Sequence, residues 1–205
     1  MKVLLVNGSL HEKGCTYTAL CEVEKALQAN GIETEIYWIG QNQVSGCKGC
    51  WACKKLKKCV MDDGVNEFVE KAAEFDGYVF GSPVYYASAS GALVSFMDRV
   101  FYSGGKNLAY KPAAAVVSCR RAGASTTFDV INKYFTINNM QIVGSNYWNE
   151  VHGNSAEEVL QDEEGLQTMR ILGNNMAWLI KCIQMGKDAG LAPERERKIM
   201  TNFIR

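Results

Sequence analysis

Histidine is nearly absent from this chain: two residues in 205, His11 and His152. No nucleophile–base arrangement can be built around them on sight, so no side chain stands out as a general acid–base or covalent catalyst. Net charge is also missing, since Lys+Arg and Asp+Glu both number 22. There is thus no overall field to draw in nucleic acid or an anionic membrane surface. No apolar run approaches the roughly 18 residues of a membrane span. The first apolar run stops at Val6 and lacks the basic flank and cleavage pattern of a signal peptide. These absences lead us to expect a cytoplasmic protein with neither a nucleic-acid nor a membrane partner. Proline is scarce too, with three residues, and no Pro/Ser-rich linker, repeat or low-complexity stretch divides the chain. The simplest expectation is one domain over 1–190, followed by a charged C-terminal arm at 191–205.

What the chain has is an alternation of apolar runs and helical patterns. Strands are expected at 2–6, 33–39, 77–81, 113–118 and 140–144. Between them, apolar residues recur at helical spacing. Examples are Ala19, Leu20, Val23 and Leu27, with Gly31 beyond them as a C′ residue, and Val65, Phe68, Val69 and Ala72 after Asp62-Asp63. Further helical stretches carry Leu93, Phe96, Met97 and Val100, then Phe128, Ile131, Tyr134 and Phe135. A last helix is expected from the capping box Ser155-Ala-Glu-Glu158 to about residue 187, with Gly165 and Gly173 as candidate interruptions. Regular β–α alternation implies an α/β fold with a parallel sheet, right-handed crossovers and helices on both faces.

In such a sheet, ligands bind beyond the carboxyl ends of the strands. That brings together the segments 7–16, 40–62, 82–90 and 119–125. The first, Asn7-Gly-Ser-Leu-His-Glu-Lys-Gly-Cys-Thr16, fails the dinucleotide fingerprint because Ser9 and Leu10 follow Gly8. It fails the P-loop pattern because Cys15 and Thr16, with no lysine, follow Gly14. Two readings remain: a cradle of hydroxyls and backbone N–H groups for a monoester phosphate, or a plain βα turn with a Thr cap. The third segment, Ser82-Pro83-Val84-Tyr85-Tyr86, sets extended backbone beside aromatic rings, as a flat heteroaromatic ligand requires. The fourth adds Ser118, Arg120, Arg121 and Gly123, where Arg120 or Arg121 either meets an anionic ring or a nucleotide phosphate or is a solvated surface charge.

Of eight cysteines, Cys15, Cys21, Cys119 and Cys182 are scattered and read as small core residues. The other four form Cys47-Lys-Gly-Cys50-Trp-Ala-Cys53 with Cys59 following, inside an insertion at 40–62. Four thiolates at such spacing suit iron–sulfur or zinc, while Cys50 and Cys53 alone could serve as a redox dithiol. Lys48, Lys54, Lys55, Lys57 and Lys58 either offset a cluster's negative charge or form a solvated basic surface.

The segments Asn7-Gly-Ser9 with Gly14-Cys-Thr16, Ser82-Pro-Val-Tyr85 and Phe96-Met-Asp-Arg99 resemble the NADPH-dependent FMN reductase family of flavodoxin-like proteins. The resemblance implies a three-layer sandwich around a five-stranded parallel sheet of order 2-1-3-4-5. It implies FMN, with its phosphate at Ser9, His11, Cys15 and Thr16 and its isoalloxazine along Pro83, Val84, Tyr85 and Tyr86. The family often has Arg where His11 stands and Asn where Cys15 stands. It also implies NAD(P)H as electron donor and a homodimer or homotetramer, in which Asp98 and Arg99 would be structural. The stretch from Cys47 to Asp63 resembles the family's iron–sulfur flavoprotein branch, which implies a [4Fe-4S] cluster on Cys47, Cys50, Cys53 and Cys59. Some related reductases keep such cysteines without a cluster. The expected function is therefore transfer of electrons from NAD(P)H through FMN to a small acceptor or a protein. The rivals are an electron carrier reduced by ferredoxin, or a flavodoxin-shaped redox- or metal-sensing protein.

Overall fold

The apolar start of the chain forms the centre of the sheet. In a computed structural model, which describes residues 1–40, 44–201 and 203, strand β1 (Lys2–Asn7) lies between β2 (Glu33–Trp38) and β3 (Gly77–Tyr85). Parts of two expected segments fall outside the described residues, namely 41–43 of the insertion and 202, 204 and 205 of the arm. Val3, Leu4, Leu5 and Val6 have no solvent exposure. Because side chains alternate along a strand, Leu4 and Val6 enter one core and Val3 and Leu5 the other.

Strands β5 (Ala113–Cys119) and β6 (Glu150–His152) extend the sheet to the order β2-β1-β3-β5-β6, every neighbouring pair parallel. Counting parallel strands alone, this is the expected 2-1-3-4-5. The two-residue β4 (Ser88–Ala89) folds back antiparallel on the end of β3. Helices α1 (Cys15–Ala29) and α7 (Glu163–Asp188) cover one face. Helices α3 (Val65–Ala72), α4 (Gly91–Leu108) and α5 (Ala124–Ile137) cover the other. Two short helices, α2 (Ala52–Leu56) and α6 (Ala156–Val159), lie in the connections. No described helix is long and apolar enough to cross a membrane.

The fifth strand is not where the sequence places it. Residues 140–144 contribute one bridge, Ile142 to Ala113, before the chain leaves the sheet and returns as β6. The Asn149 side chain makes the detour possible by donating to the Ala115 carbonyl at 3.0 Å, where a strand amide would otherwise sit. The last helix also differs. Ser155 caps α6, accepting the Glu158 N–H, and Asp162 caps α7, accepting the Gly165 N–H at 3.0 Å. The break thus falls at 160–162, and Gly165 and Gly173 both lie inside α7. Helix α1 ends as read: Gly31 N–H reaches the Gln28 carbonyl and Ile32 N–H the Leu27 carbonyl, the paired bonds of a Schellman motif. Beyond α7 the described residues of the arm form no helix or strand.

Gly173 is a packing glycine. A Cβ there would stand 2.6 Å from Ala26 Cβ and 2.8 Å from the Val23 carbonyl oxygen, which as backbone cannot easily move. Gly173→Ala gains about 0.5–1 kcal/mol of helix propensity but incurs about 1–3 kcal/mol of overpacking. A net loss of stability is expected in urea unfolding. The same helix pair is tied by Glu22, which accepts from Arg170 at 2.8 Å and Lys25 at 3.1 Å. Burial alone would raise the Glu22 carboxyl, but these two cations take it below its ordinary value. A carboxyl lowered on folding stabilises fully above its unfolded value of about 4.3, and that contribution is lost as pH falls through the folded value. Unfolding midpoints across the acid range should accordingly fall less steeply for Glu22→Gln than for wild type.

Candidate functional site

The carboxyl ends of β1 and β2 share one rung with Gly81 of β3, Trp38 paired to Asn7 and Asn7 to Gly81, while β3 runs on to Tyr85. Two side chains on this rung shape the loop that follows β1. The Asn7 carboxamide accepts the Ser9 N–H at 3.1 Å and donates to the Glu12 carbonyl at 2.9 Å. Trp38 Nε1–H donates to the Ser9 carbonyl at 2.8 Å. Ser9 Oγ in turn accepts the His11 N–H at 3.1 Å. Helix α1 then begins at Gly14 with no side-chain cap and no acidic residue in its first turn. Its positive end is left to attract an anion.

A cleft of about 390 Å³ opens above this loop. Nine of the expected ligand residues line it: Ser9, His11, Cys15, Thr16, Pro83, Val84, Tyr85, Ser118 and Arg120. Buried Thr16 shares a 2.8 Å hydrogen bond with Ser118, joining the first loop to the fourth. Burial raises the Cys15 thiol, and Glu158 and Glu157 raise it further. Burial raises Cys119, on the same wall, as well. Both are therefore neutral thiols near neutral pH and do not repel an anion.

Three expected residues lie off this lining. Ser82 is fully buried and acts as a brace, its Oγ accepting the Ser90 N–H at 3.0 Å and donating to the Pro83 carbonyl. Tyr86 is fully exposed at the β3–β4 hairpin, with φ 55° and a tight Ala87 N–H to Tyr85 carbonyl bond. Gly123 caps α5 at φ 88°, and a Cβ there would stand 2.8 Å from Val84. The sequence reading missed Asn7 and Trp38, and also Cys119 and the stretch Gly153, Asn154 and Ser155 that closes the cleft. An Asn at a strand end before Gly-Ser was a usable signal for a side-chain-braced turn. Nothing local marked Trp38 or 153–155, because the sheet register brings them in.

The four clustered cysteines border a second cavity, of about 240 Å³, together with Trp51, Arg99 and Tyr102. Cys47 and Cys50 are exposed, while Cys53 and Cys59 are partly buried. Among the described residues, no three His, Cys, Asp or Glu side chains are gathered closely enough to hold a metal ion. Trp51 and Lys57 flank α2 in the left-handed region, at φ 59° and 60°. Lys54 lies 3.9 Å from the Trp51 ring centroid, and Tyr102 meets that ring edge-on. The lysines of the segment are exposed. Asp98 and Arg99 both act within the chain: Asp98 accepts the Tyr134 hydroxyl at 2.5 Å, and Arg99 lies under the cysteine segment, paired with Asp63. The Arg99 guanidinium holds the Asp63 carboxyl below its usual range. Helix α4 thus follows Ser90, whose N–H is tied to Ser82 next to Pro83 of the cleft wall, and carries Arg99, Tyr102 and Ser103 to the cysteine cavity.

Known proteins are similar to this chain in sequence or in fold. An iron–sulfur flavoprotein of Methanocaldococcus jannaschii is 35% identical over 192 residues, covering 90% of this chain and 100% of that protein. An iron–sulfur flavoprotein of Methanosarcina thermophila is 30% identical over 194 residues, covering 92% and 100%. A solved flavodoxin from the domain Archaea matches with a TM-score of 0.61 at 14% identity, over 88% of this chain and 99% of that one, a likeness of fold. A family model for NADPH-dependent FMN reductases matches residues 1–155. With its flavodoxin-like sheet and the loops that end it, the chain belongs to the NADPH-dependent FMN reductase family.

Proposed function

We propose that the chain is an FMN-dependent oxidoreductase that takes electrons from a reduced nicotinamide nucleotide and passes them to a small acceptor or a protein. One observation carries this reading. The cleft joins an uncapped helix N-terminus with buried Ser9 and Thr16 hydroxyls to the extended Pro83–Val84–Tyr85 backbone. The first part suits a phosphate dianion and the second a flat ring, in the order a flavin mononucleotide presents them. FMN, when bound, supplies a ring that accepts electrons in pairs and releases them in pairs or singly. The chain's part is to bind and orient it. Ser9, His11, Cys15 and Thr16 face the phosphate, Ser118 ties the loops, and Arg120 offers charge near the ring or an incoming nucleotide.

The cysteine cavity favours a second redox group. Four thiols, with no histidine or carboxylate in the lining, border it, and its 240 Å³ is roomy for a single ion. A [4Fe-4S] cluster on Cys47, Cys50, Cys53 and Cys59 fits this donor set better than zinc, whose thiolates lie only about 2.3 Å from the metal. The same cavity supports the second reading, an electron carrier reduced by a ferredoxin-like protein. In either case the working unit is a homodimer or homotetramer in the cytoplasm.

Anaerobically purified protein should show flavin absorption together with iron and sulfide in equal amounts. Steady-state turnover of NADH or NADPH with a dye or quinone should then be measurable. Protein that ignores both nicotinamides but accepts electrons from reduced ferredoxin would establish the second reading instead. Thr16→Val should weaken FMN binding by about 0.5–3 kcal/mol, the range for one lost hydrogen bond up to one to a charged group. Fluorescence titration with FMN reads this directly, and unchanged affinity would move the phosphate elsewhere.

A further inference from the structure

The four cysteines are not held alike. Cys47 and Cys50 are exposed, and among the described hydrogen bonds neither their sulfurs nor that of Cys53 has a partner. Cys59 is fixed at both backbone and sulfur. The Asn66 carboxamide accepts the Cys59 N–H at 2.8 Å and donates to the Cys59 carbonyl at 3.0 Å. Arg99 then donates to Cys59 Sγ twice, from Nε at 3.4 Å and from Nη2 at 3.3 Å.

The rest of the guanidinium is committed as well. Its other edge forks onto the Asp63 carboxylate, with Nη2 to Oδ1 at 2.7 Å and Nη1 to Oδ2. The Ser45 and Met61 carbonyls accept the remaining contacts at 3.3 and 3.2 Å. Arg99 is 1% exposed on a helix packed into the core, so it is a rigid reference for the segment above it. A planar guanidinium that meets one sulfur, one carboxylate and two carbonyls at once is an arrangement lysine cannot copy. A neutral thiol accepts hydrogen bonds weakly and gains little from two cationic donors, whereas a metal-bound thiolate gains much. Asp63 keeps the buried cation paired whether or not the cavity holds a metal.

We propose that Arg99 is a positioning and charge-compensating residue of the cysteine cavity. It fixes Cys59 as the anchored ligand on which Cys47, Cys50 and Cys53 close, and its fork to Cys59 Sγ raises the reduction potential of the bound centre. The second half rests on the cavity being an iron–sulfur site; the first does not. Hydrogen bonds to ligating sulfur are among the protein's main controls on such potentials.

Two measurements test the proposal. In metal-free, reduced protein, the only partner of the Arg99 Nε–H is Cys59 Sγ among the described residues. Its solvent exchange, followed by NMR with the resonance assigned by its loss in Arg99→Lys, should be slow and should quicken about tenfold in Cys59→Ala. Equal rates in the two proteins would overturn the anchoring. In anaerobically reconstituted protein with matched iron, sulfide and flavin, redox titration followed by electron paramagnetic resonance should give a lower midpoint potential for Arg99→Lys than for wild type. Asp63→Asn keeps the fork but removes the opposing charge, so it should move the potential the other way. It also serves if Arg99→Lys does not fold. Unchanged potentials would overturn the tuning and leave Arg99 with the anchoring alone. Failure of wild type to take up iron would overturn the iron–sulfur reading and the tuning with it, while the exchange measurement still decides the anchoring.

Discussion

The site depends on a register. Trp38 and Asn7 end β2 and β1 on one rung, which runs on through Gly81 of β3 to Val116 of β5. Parallel strands buried on both faces cannot slip by a residue without turning their core side chains out. The packing of Val3, Leu4, Leu5 and Val6 therefore fixes where Asn7, next along β1, and Trp38, its partner on β2, present their polar groups. Both of those groups hold Ser9. The hydrophobic cores on the two sides of β1 thus set the shape of the polar loop that follows it, with Gly8 against Leu93 on one side and Cys15 packed on the other.

A second constraint works along helix α4. Its start is tied to the cleft through the Ser90 N–H and Ser82, and its middle lies under the cysteine segment through Arg99 and Tyr102. Leu93, Phe96, Met97 and Val100 lock the helix into the core between these points. One rigid element therefore spaces the two candidate redox sites, so that their separation is a property of the core rather than of either loop.

Much of this was legible in the sequence where information is local. The four longer parallel strands, helix α1 with its Gly31 ending, and the chemistry of the first and third loops follow from apolar period and turn residues. Strand β6 was not, because three residues among Asn, Tyr, Trp and Glu carry no periodic signal, while 140–144 carry one and form a single bridge. Ser82 read as a ligand from its composition, but its hydroxyl is spent on the Ser90 N–H. Nor was the link from Arg99 to Cys59 readable, since it joins residues 40 positions apart through a side chain that the sequence pattern assigns to an ordinary helix.

The interrupted fifth strand has a consequence for how the sheet meets other chains. A long, flat outer strand offers a row of unpaired amides and carbonyls on which another chain can dock and continue the ladder. Here that border is a single bridge at Ile142, a detour through 144–149, and only three residues of β6. The Asn149 side chain already occupies the Ala115 carbonyl within the gap. An incoming strand finds no continuous template on this side, and the sheet stops growing at its own fifth member.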